Sequence, residues 1–326
     1  MKMKNIYFLF LMIVVVGMCE KTHAQSRWIG IMPMEYNPSF AGNSGGHRSV
    51  AFAGYTSSEG GRKSYKGDDH LFPKTSTPVL GVSYDNFIPK IASGVGFFAS
   101  WMHSHERRSR DDLKVSGLKT GIVISPKISL KGKYTIAPSL GLTYKYSEGE
   151  YWDLYKSKYE AFNLSVGLLF NTERFYLGYA NYYNPFKGED ILLFFEDFKQ
   201  TKVYGWTYGL IQTGFKYQRT KMSKTSYTLQ AVFRIREYTT WIGLVNNISL
   251  TVKHNKLLFG VTAAEGVMGP IFYTPPQDEL HVGIGYQTSK FKIFYSQDLI
   301  NLKFRYRSEI TCRLLLPNKG KVISQF

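Results

Sequence analysis

Residues 134–146 read Tyr-Thr-Ile-Ala-Pro-Ser-Leu-Gly-Leu-Thr-Tyr-Lys-Tyr, and their alternation decides the fold. Tyr134, Ile136, Leu140, Leu142, Tyr144 and Tyr146 share one parity, while Thr135, Ala137, Ser139, Gly141, Thr143 and Lys145 share the other. A period of two is that of an extended strand with chemically different faces, here an apolar outer face and a small or polar inner one. The same pattern recurs at 160–170 through Phe162, Leu164, Val166, Leu168 and Phe170, and at 279–287 through Leu280, Val282, Ile284 and Tyr286. In 226–236, Tyr227, Leu229, Ala231, Phe233 and Ile235 alternate with Ser226, Thr228, Gln230, Arg234 and Arg236, with Val232 the one exception. A charge on a lipid face near mid-bilayer costs roughly 2–4 kcal/mol, so the Arg parity belongs to a lumen or a strand end.

Extended along the chain, this reading predicts fourteen strands, at 48–56, 77–85, 92–103, 114–128, 133–147, 160–170, 174–183, 203–218, 226–236, 243–253, 256–264, 279–287, 290–299 and 308–316. Segment 268–274 is a further strand candidate that would force another to merge. The connections alternate in length. Long ones fall at 57–76, 104–113, 148–159, 184–202, 265–278 and 300–307, and short ones at 86–91, 129–132, 171–173, 254–255 and 288–289. Two blur the rule, 237–242 being a short outer loop and 219–225 a longer inner turn. Lys131-Gly132, Asn171-Thr172-Glu173 and His254-Asn255 supply turn residues for tight hairpins. Tyr55, Trp101, Tyr151, Trp152, Tyr182, Tyr183, Tyr204, Trp206 and Trp241 gather near strand ends, as interfacial girdles do. The expected fold is all-β: an antiparallel transmembrane β-barrel of about 14 strands, with long extracellular loops and short periplasmic turns. A soluble sandwich would not place its long polar excursions on every second connection.

The N-terminus reads as an export signal, with Lys2 and Lys4, an apolar run from Ile6 to Met18, and Thr22-His23-Ala24 before Gln25. Cys19 would be acylated in a lipoprotein, but Met18 stands where such signals prefer a small residue, which favours cleavage at Gln25. Cys312 is then the one remaining cysteine, and no intramolecular disulfide is available. Loss of residues 1–24 removes Lys2, Lys4, Lys21 and Glu20 from 41 basic and 24 acidic residues, leaving 38 and 23 and a net charge of +15. That surplus suits lipopolysaccharide phosphates, an acidic partner or a cation-lined lumen. Export, and Lys and Arg scattered along strands, argue against nucleic acid. Beyond the signal no apolar run is long enough for a spanning helix, so a membrane-resident mature chain has to cross as a barrel. The expected organisation is signal peptide 1–24, periplasmic N-terminal segment 25–47, barrel 48–316 and C-terminal tail 317–326.

Tyr36-Asn37-Pro38-Ser39-Phe40-Ala41-Gly42 stands out between the signal and the first strand. Asn37-Pro38 favours an extended, turn-initiating backbone, Phe40 can anchor in an apolar slot, and Gly42 permits a sharp turn into the barrel. The segment either seals the periplasmic mouth or docks periplasmic machinery. It resembles the Asn-Pro-Ala-Phe-Ala-Gly signature of the PorP/SprF family, outer-membrane components of the Bacteroidota type IX secretion system. Weaker similarity runs through Gly81-Val82-Ser83-Tyr84-Asp85, Gly94-Val95-Gly96-Phe97, Lys127-Ile128-Ser129-Leu130, Ser139-Leu140-Gly141-Leu142 and the closing Ser308-Glu309-Ile310-Thr311-Cys312-Arg313-Leu314. The chain departs from the family around Phe52-Ala53-Gly54-Tyr55, where a Tyr-Arg-Asn-Gln-Trp is common, and at Ser308, where the family favours His.

The resemblance implies a protein of the outer membrane of a Gram-negative bacterium of the Bacteroidota, without cofactor or catalytic residues. It would support type IX secretion or surface attachment of a cargo such as an adhesin. Its implied partners are the translocon, the periplasmic ring proteins and lipoproteins, and a secreted cargo protein. The alternative is an outer-membrane porin or small-solute transporter. The partner or structural candidates are Asn37, Pro38, Phe40, Gly42 and Glu309, together with Leu192, Leu193, Phe194 and Phe195 of the outer loop 184–202. The run Asp190-Ile191-Leu192-Leu193-Phe194-Phe195-Glu196-Asp197-Phe198 is too apolar for a freely solvated loop. Either it constricts the lumen or it offers an apolar patch to a partner. His103-x-His105, followed by Glu106-Arg107-Arg108, reads as a solvated loop tip rather than a metal site, and Asp68-Asp69-His70 lacks a sustained ligand pattern. His281 and Ser83 show no spacing that singles out a triad.

Overall fold

Gly46 lies opposite Pro317 and Ser58 opposite Arg305, so the first strand pairs antiparallel with the last and the sheet closes on itself. The computed structural model describes residues 34, 37–65, 68–107, 112–130, 133–151, 155–190, 201–220, 222–238, 241–266, 279–299 and 305–317. In chain order the strands are β1 (Gly46–Tyr65), β2 (Asp68–Ile88), β3 (Ser93–Arg107), β4 (Asp112–Pro126), β5 (Ile128–Leu130), β6 (Tyr134–Tyr151), β7 (Tyr155–Asn171) and β8 (Phe175–Asp190). They continue with β9 (Thr201–Tyr217), β10 (Thr225–Tyr238), β11 (Trp241–His254), β12 (Leu257–Gly266), β13 (Glu279–Gln287), β14 (Phe291–Asp298) and β15 (Arg305–Pro317). β4 breaks at Lys127 and resumes as β5, and both pair with β6, so the two form one stave. The result is a closed antiparallel barrel of fourteen staves, each paired with its neighbours in sequence. All fourteen predicted strands are present.

The outer wall is apolar across adjacent staves. Ile122 faces Leu142 and Leu142 faces Leu164 across the β4–β6–β7 ladders, at 63%, 38% and 37% exposure. Leu229, Leu250 and Val261 form a similar row on β10, β11 and β12. Their inward neighbours are small or polar and buried, as with Thr143, Asn163, Ser165, Ser249 and Thr262. An apolar belt of this extent matches a hydrocarbon solvent rather than water. Near the short turns it ends in exposed tyrosines, Tyr134, Tyr217, Tyr227 and Tyr286, which suit an interfacial rim. Tyr182, expected in a girdle, has the inward parity instead and is buried with Ala180, Leu210 and Val232.

The long connections are shorter than expected because the ladders outrun the apolar pattern. Tyr65 still pairs with Asp68, Arg107 with Asp112, Tyr151 with Tyr155 and Asp190 with Thr201. Backbone hydrogen bonds continue a hairpin where both faces are polar, and there alternation gives no signal. Asp68-Asp69-His70 and His103-x-His105 therefore lie on strands and not in loops. At the short turns, Asn255 takes the expected positive φ of 54°. In the turn at 171–175, however, Thr172 does the work: its Oγ1 accepts from the amides of Arg174 and Phe175. Thr288 repeats this with Lys290 and Phe291. The segments 1–24, 268–274 and 318–326 lie outside the described residues.

Candidate functional site: a plug in the lumen

The segment before β1 folds back into the barrel. Asn37 caps a single 3-10 turn, Pro38–Phe40, with its side-chain oxygen accepting from the Ser39 amide at 2.9 Å. Pro38 at the first position has the fixed φ that such a turn needs and loses no hydrogen bond there. The Ala41 and Asn43 amides donate to the carbonyls of Pro38 and Phe40. Gly42 and Gly45 take φ of +68° and +69°, which reverses the chain into β1. Residues 37–45 are all buried.

The seat is the inner wall of β1 to β8 near the short turns. Asp85 on β2 accepts from the Gly42 amide at 2.8 Å and, through its other oxygen, from Arg48 Nε at 2.6 Å. Arg48 also donates from Nη2 to the Phe40 carbonyl at 3.1 Å. Lys127, in the break of the β4–β5 stave, donates from Nζ to the Ser39 carbonyl at 2.7 Å, and Ser125 Oγ reaches the same carbonyl. Ser39 Oγ lies 2.7 Å from Ser139 Oγ on β6. Asn37 Nδ2 donates to the Tyr179 carbonyl on β8, and Asn171 Nδ2 on β7 donates to Asn43 Oδ1.

Phe40 meets Tyr176 of β8 edge to face, with centroids 5.2 Å apart, and Gln230 Nε2 on β10 donates to the Tyr176 hydroxyl at 3.0 Å. Glycines make the room. A Cβ on Gly94 would overlap the Ala41 carbonyl, and Cβ atoms on Gly167 or Gly178 would press on the Asn37 amide. The short-turn end of the lumen is thus closed on this side by the chain's own N-terminal segment. Its polar groups are paired and its phenyl ring is enclosed, as a firmly held element requires.

Of the expected site residues, Asn37, Pro38, Phe40 and Gly42 come together here. Glu309 is separate: it points inward from β15, opposite Gly54 and Ser296, with the Thr311 hydroxyl 3.4 Å from Oε1. Leu192, Leu193, Phe194 and Phe195 lie outside the described residues. His103 packs on Trp101 on the outer face and shares a 2.7 Å hydrogen bond with Ser116 Oγ. His281 and Ser83 stand on staves separated by β14, β15 and β1, so they form no dyad. Arg48, Asp85, Lys127 and Tyr176 were not foreseen as site residues. Inward parity marks each as lumenal, but nothing in the local pattern says what each would meet.

No family model matches the chain, and no curated protein does. Solved structures do. The P. putida toluene transporter TodX is 11% identical, with a TM-score of 0.55 over 89% of this chain and 95% of that one. A TodX monoaromatic hydrocarbon channel deltaS2 mutant matches at a TM-score of 0.52 and 11% identity, over 90% of this chain and 94% of that one. CdiB from Acinetobacter baumannii matches at a TM-score of 0.46 and 11% identity over 82% of this chain, which spans only 60% of CdiB. The fold is that of the outer-membrane β-barrels.

Proposed function

We propose that the protein is a non-enzymatic outer-membrane component that supports type IX secretion or surface attachment of a cargo, such as an adhesin, in a member of the Bacteroidota. The reading rests on the resemblance to PorP/SprF proteins, which is most specific at Asn37–Gly42. The observation that carries it is the use made of that segment: it is wholly buried in the barrel and bound by side chains from β1, β2, β4, β6 and β7. A barrel that spends a buried ion pair and a set of glycines on holding its own N-terminus favours a scaffold with a fixed lumenal element over an open diffusion pore. Cargo or machinery would be recognised by exposed surface at the rims, with binding rather than chemistry as the product.

Deletion of the gene in its own organism, with quantification of surface-bound and released proteins, tests the proposal. Loss of one or a few secreted proteins, restored by the intact gene, is the expected result, and an unchanged set of exported proteins overturns it. Removing residues 190–198 asks separately whether the apolar run receives the cargo. The second reading, a small-solute channel, is favoured by the cationic side chains on the inner wall. A steady conductance of the purified protein in planar bilayers would favour it.

A further inference from the structure

We propose that the inner wall facing the plug is a binding site for a multivalent oxyanion of the phosphate class. The inference is independent of the secretion reading. Lys216 on β9, Lys253 on β11, Lys292 on β14 and Arg313 on β15 all have the inward parity, which they share with Gly214, Thr251, Phe294 and Thr311 two positions away. Each lies near the short-turn end of its stave.

Lys292 and Arg313 sit directly opposite one another across the β14–β15 ladder. Lys253 is within electrostatic reach of both Lys292 and Lys216, and Arg313 within reach of Arg48. All four are half-buried, and among the described residues none has an acidic partner in an ion pair. The acid within electrostatic reach of Arg313 is Asp85, and both its oxygens are taken, by Arg48 and by the Gly42 amide.

Like charges placed directly across a ladder repel, and the repulsion grows where a protein wall and a plug displace water. Lys292 rests above the Phe294 ring at 5.7 Å, which offsets a little of this but neutralises nothing. The plug supplies no remedy either. Its Ser39 carbonyl already accepts from Lys127 and its Phe40 carbonyl from Arg48, the cation next to Arg313 around the closing strands. Lys292 and Arg313 side by side, with Lys253 within electrostatic reach and no acid paired to them among the described residues, fit an anion carrying several oxygens, because guanidinium and ammonium groups each take one or two of them. Lumenal parity excludes a bilayer lipid as its source: a headgroup on the outer wall is on the wrong side of the sheet. The ligand enters through the lumen as a soluble anion.

Full-length protein, refolded in detergent free of lipopolysaccharide, is titrated calorimetrically with inorganic pyrophosphate, and separately with sodium chloride at matched ionic strength. Saturable pyrophosphate binding is expected, with affinity falling at least about tenfold in the double variant Lys292→Gln/Arg313→Gln. Removing the opposed charges leaves that variant no less heat-stable than the wild type in chloride, so lost binding is not lost folding. Lys216→Gln alone, on another stave, weakens binding in the same direction. Heats indistinguishable from those of chloride overturn the proposal. So does pyrophosphate binding that survives the double substitution undiminished.

Discussion

Arg48 and Asp85 face each other directly across the β1–β2 ladder, joined at 2.6 Å with side-chain exposures of 3% and 0%, and each also holds the plug. One donates to the Phe40 carbonyl and the other accepts from the Gly42 amide. The pair thus joins barrel wall and N-terminal segment in one buried network. In such a network the loss of one member strands the rest.

Asp85→Ala leaves Arg48 buried without its counter-ion and the Gly42 amide without its acceptor. The expected cost is about 3–5 kcal/mol. Urea unfolding of the refolded protein measures it. Planar-bilayer recording should show larger and more frequent openings in the variant than in the wild type, because the plug loses its hold at Gly42 and keeps only those on the other staves.

Gly94→Ala tests the plug without touching any charge. The added methyl would overlap the Ala41 carbonyl, and it lies on β3, a barrel stave that cannot easily retreat. Overpacking of this kind costs about 1–3 kcal/mol. Protease should cut the N-terminal segment faster in the variant, while the barrel core keeps its resistance.

Phe40→Ala removes the ring that meets Tyr176 edge to face. A buried Phe replaced by Ala costs about 3–5 kcal/mol. Phe40→Leu should retain part of that stability, and the difference between the two in thermal unfolding separates volume from aromatic geometry.

Leu164→Arg puts a charge in the middle of the apolar belt, between Leu142 and Tyr183 on the neighbouring staves. It should destabilise the barrel in lipid vesicles by roughly 2–4 kcal/mol, whereas Leu257→Arg, beside a short turn, should cost roughly 0–1 kcal/mol. Equal costs at the two depths, read from urea titrations, would contradict the placement of the belt.

Alternation exposed the staves between the two rims, since there the two faces meet different solvents and the side chains have to differ. It failed in stretches such as Ser57–Tyr65, polar on both faces, where the ladder nevertheless continues. It also misplaced Tyr182, whose ring looked like an interfacial anchor until its parity sent it inward. Asn37, Pro38, Phe40 and Gly42 were legible as a turn with an apolar anchor, because Asn-Pro and Gly restrict or free the backbone locally. Their partners were not legible: Asp85 lies 43 positions from Gly42, and Ser139 lies 100 from Ser39.

By itself, then, the sequence determined an antiparallel barrel of fourteen staves and the inner or outer face of most residues within the belt, because period-two alternation is a local property of an extended chain. The tertiary structure alone decided that residues 37–45 lie within the lumen, that Arg48 and Asp85 hold them there, and that Lys292 meets Arg313. Those outcomes depend on ladder register and on closure of β1 against β15, which bring distant strands to one level of the lumen and which no local pattern encodes.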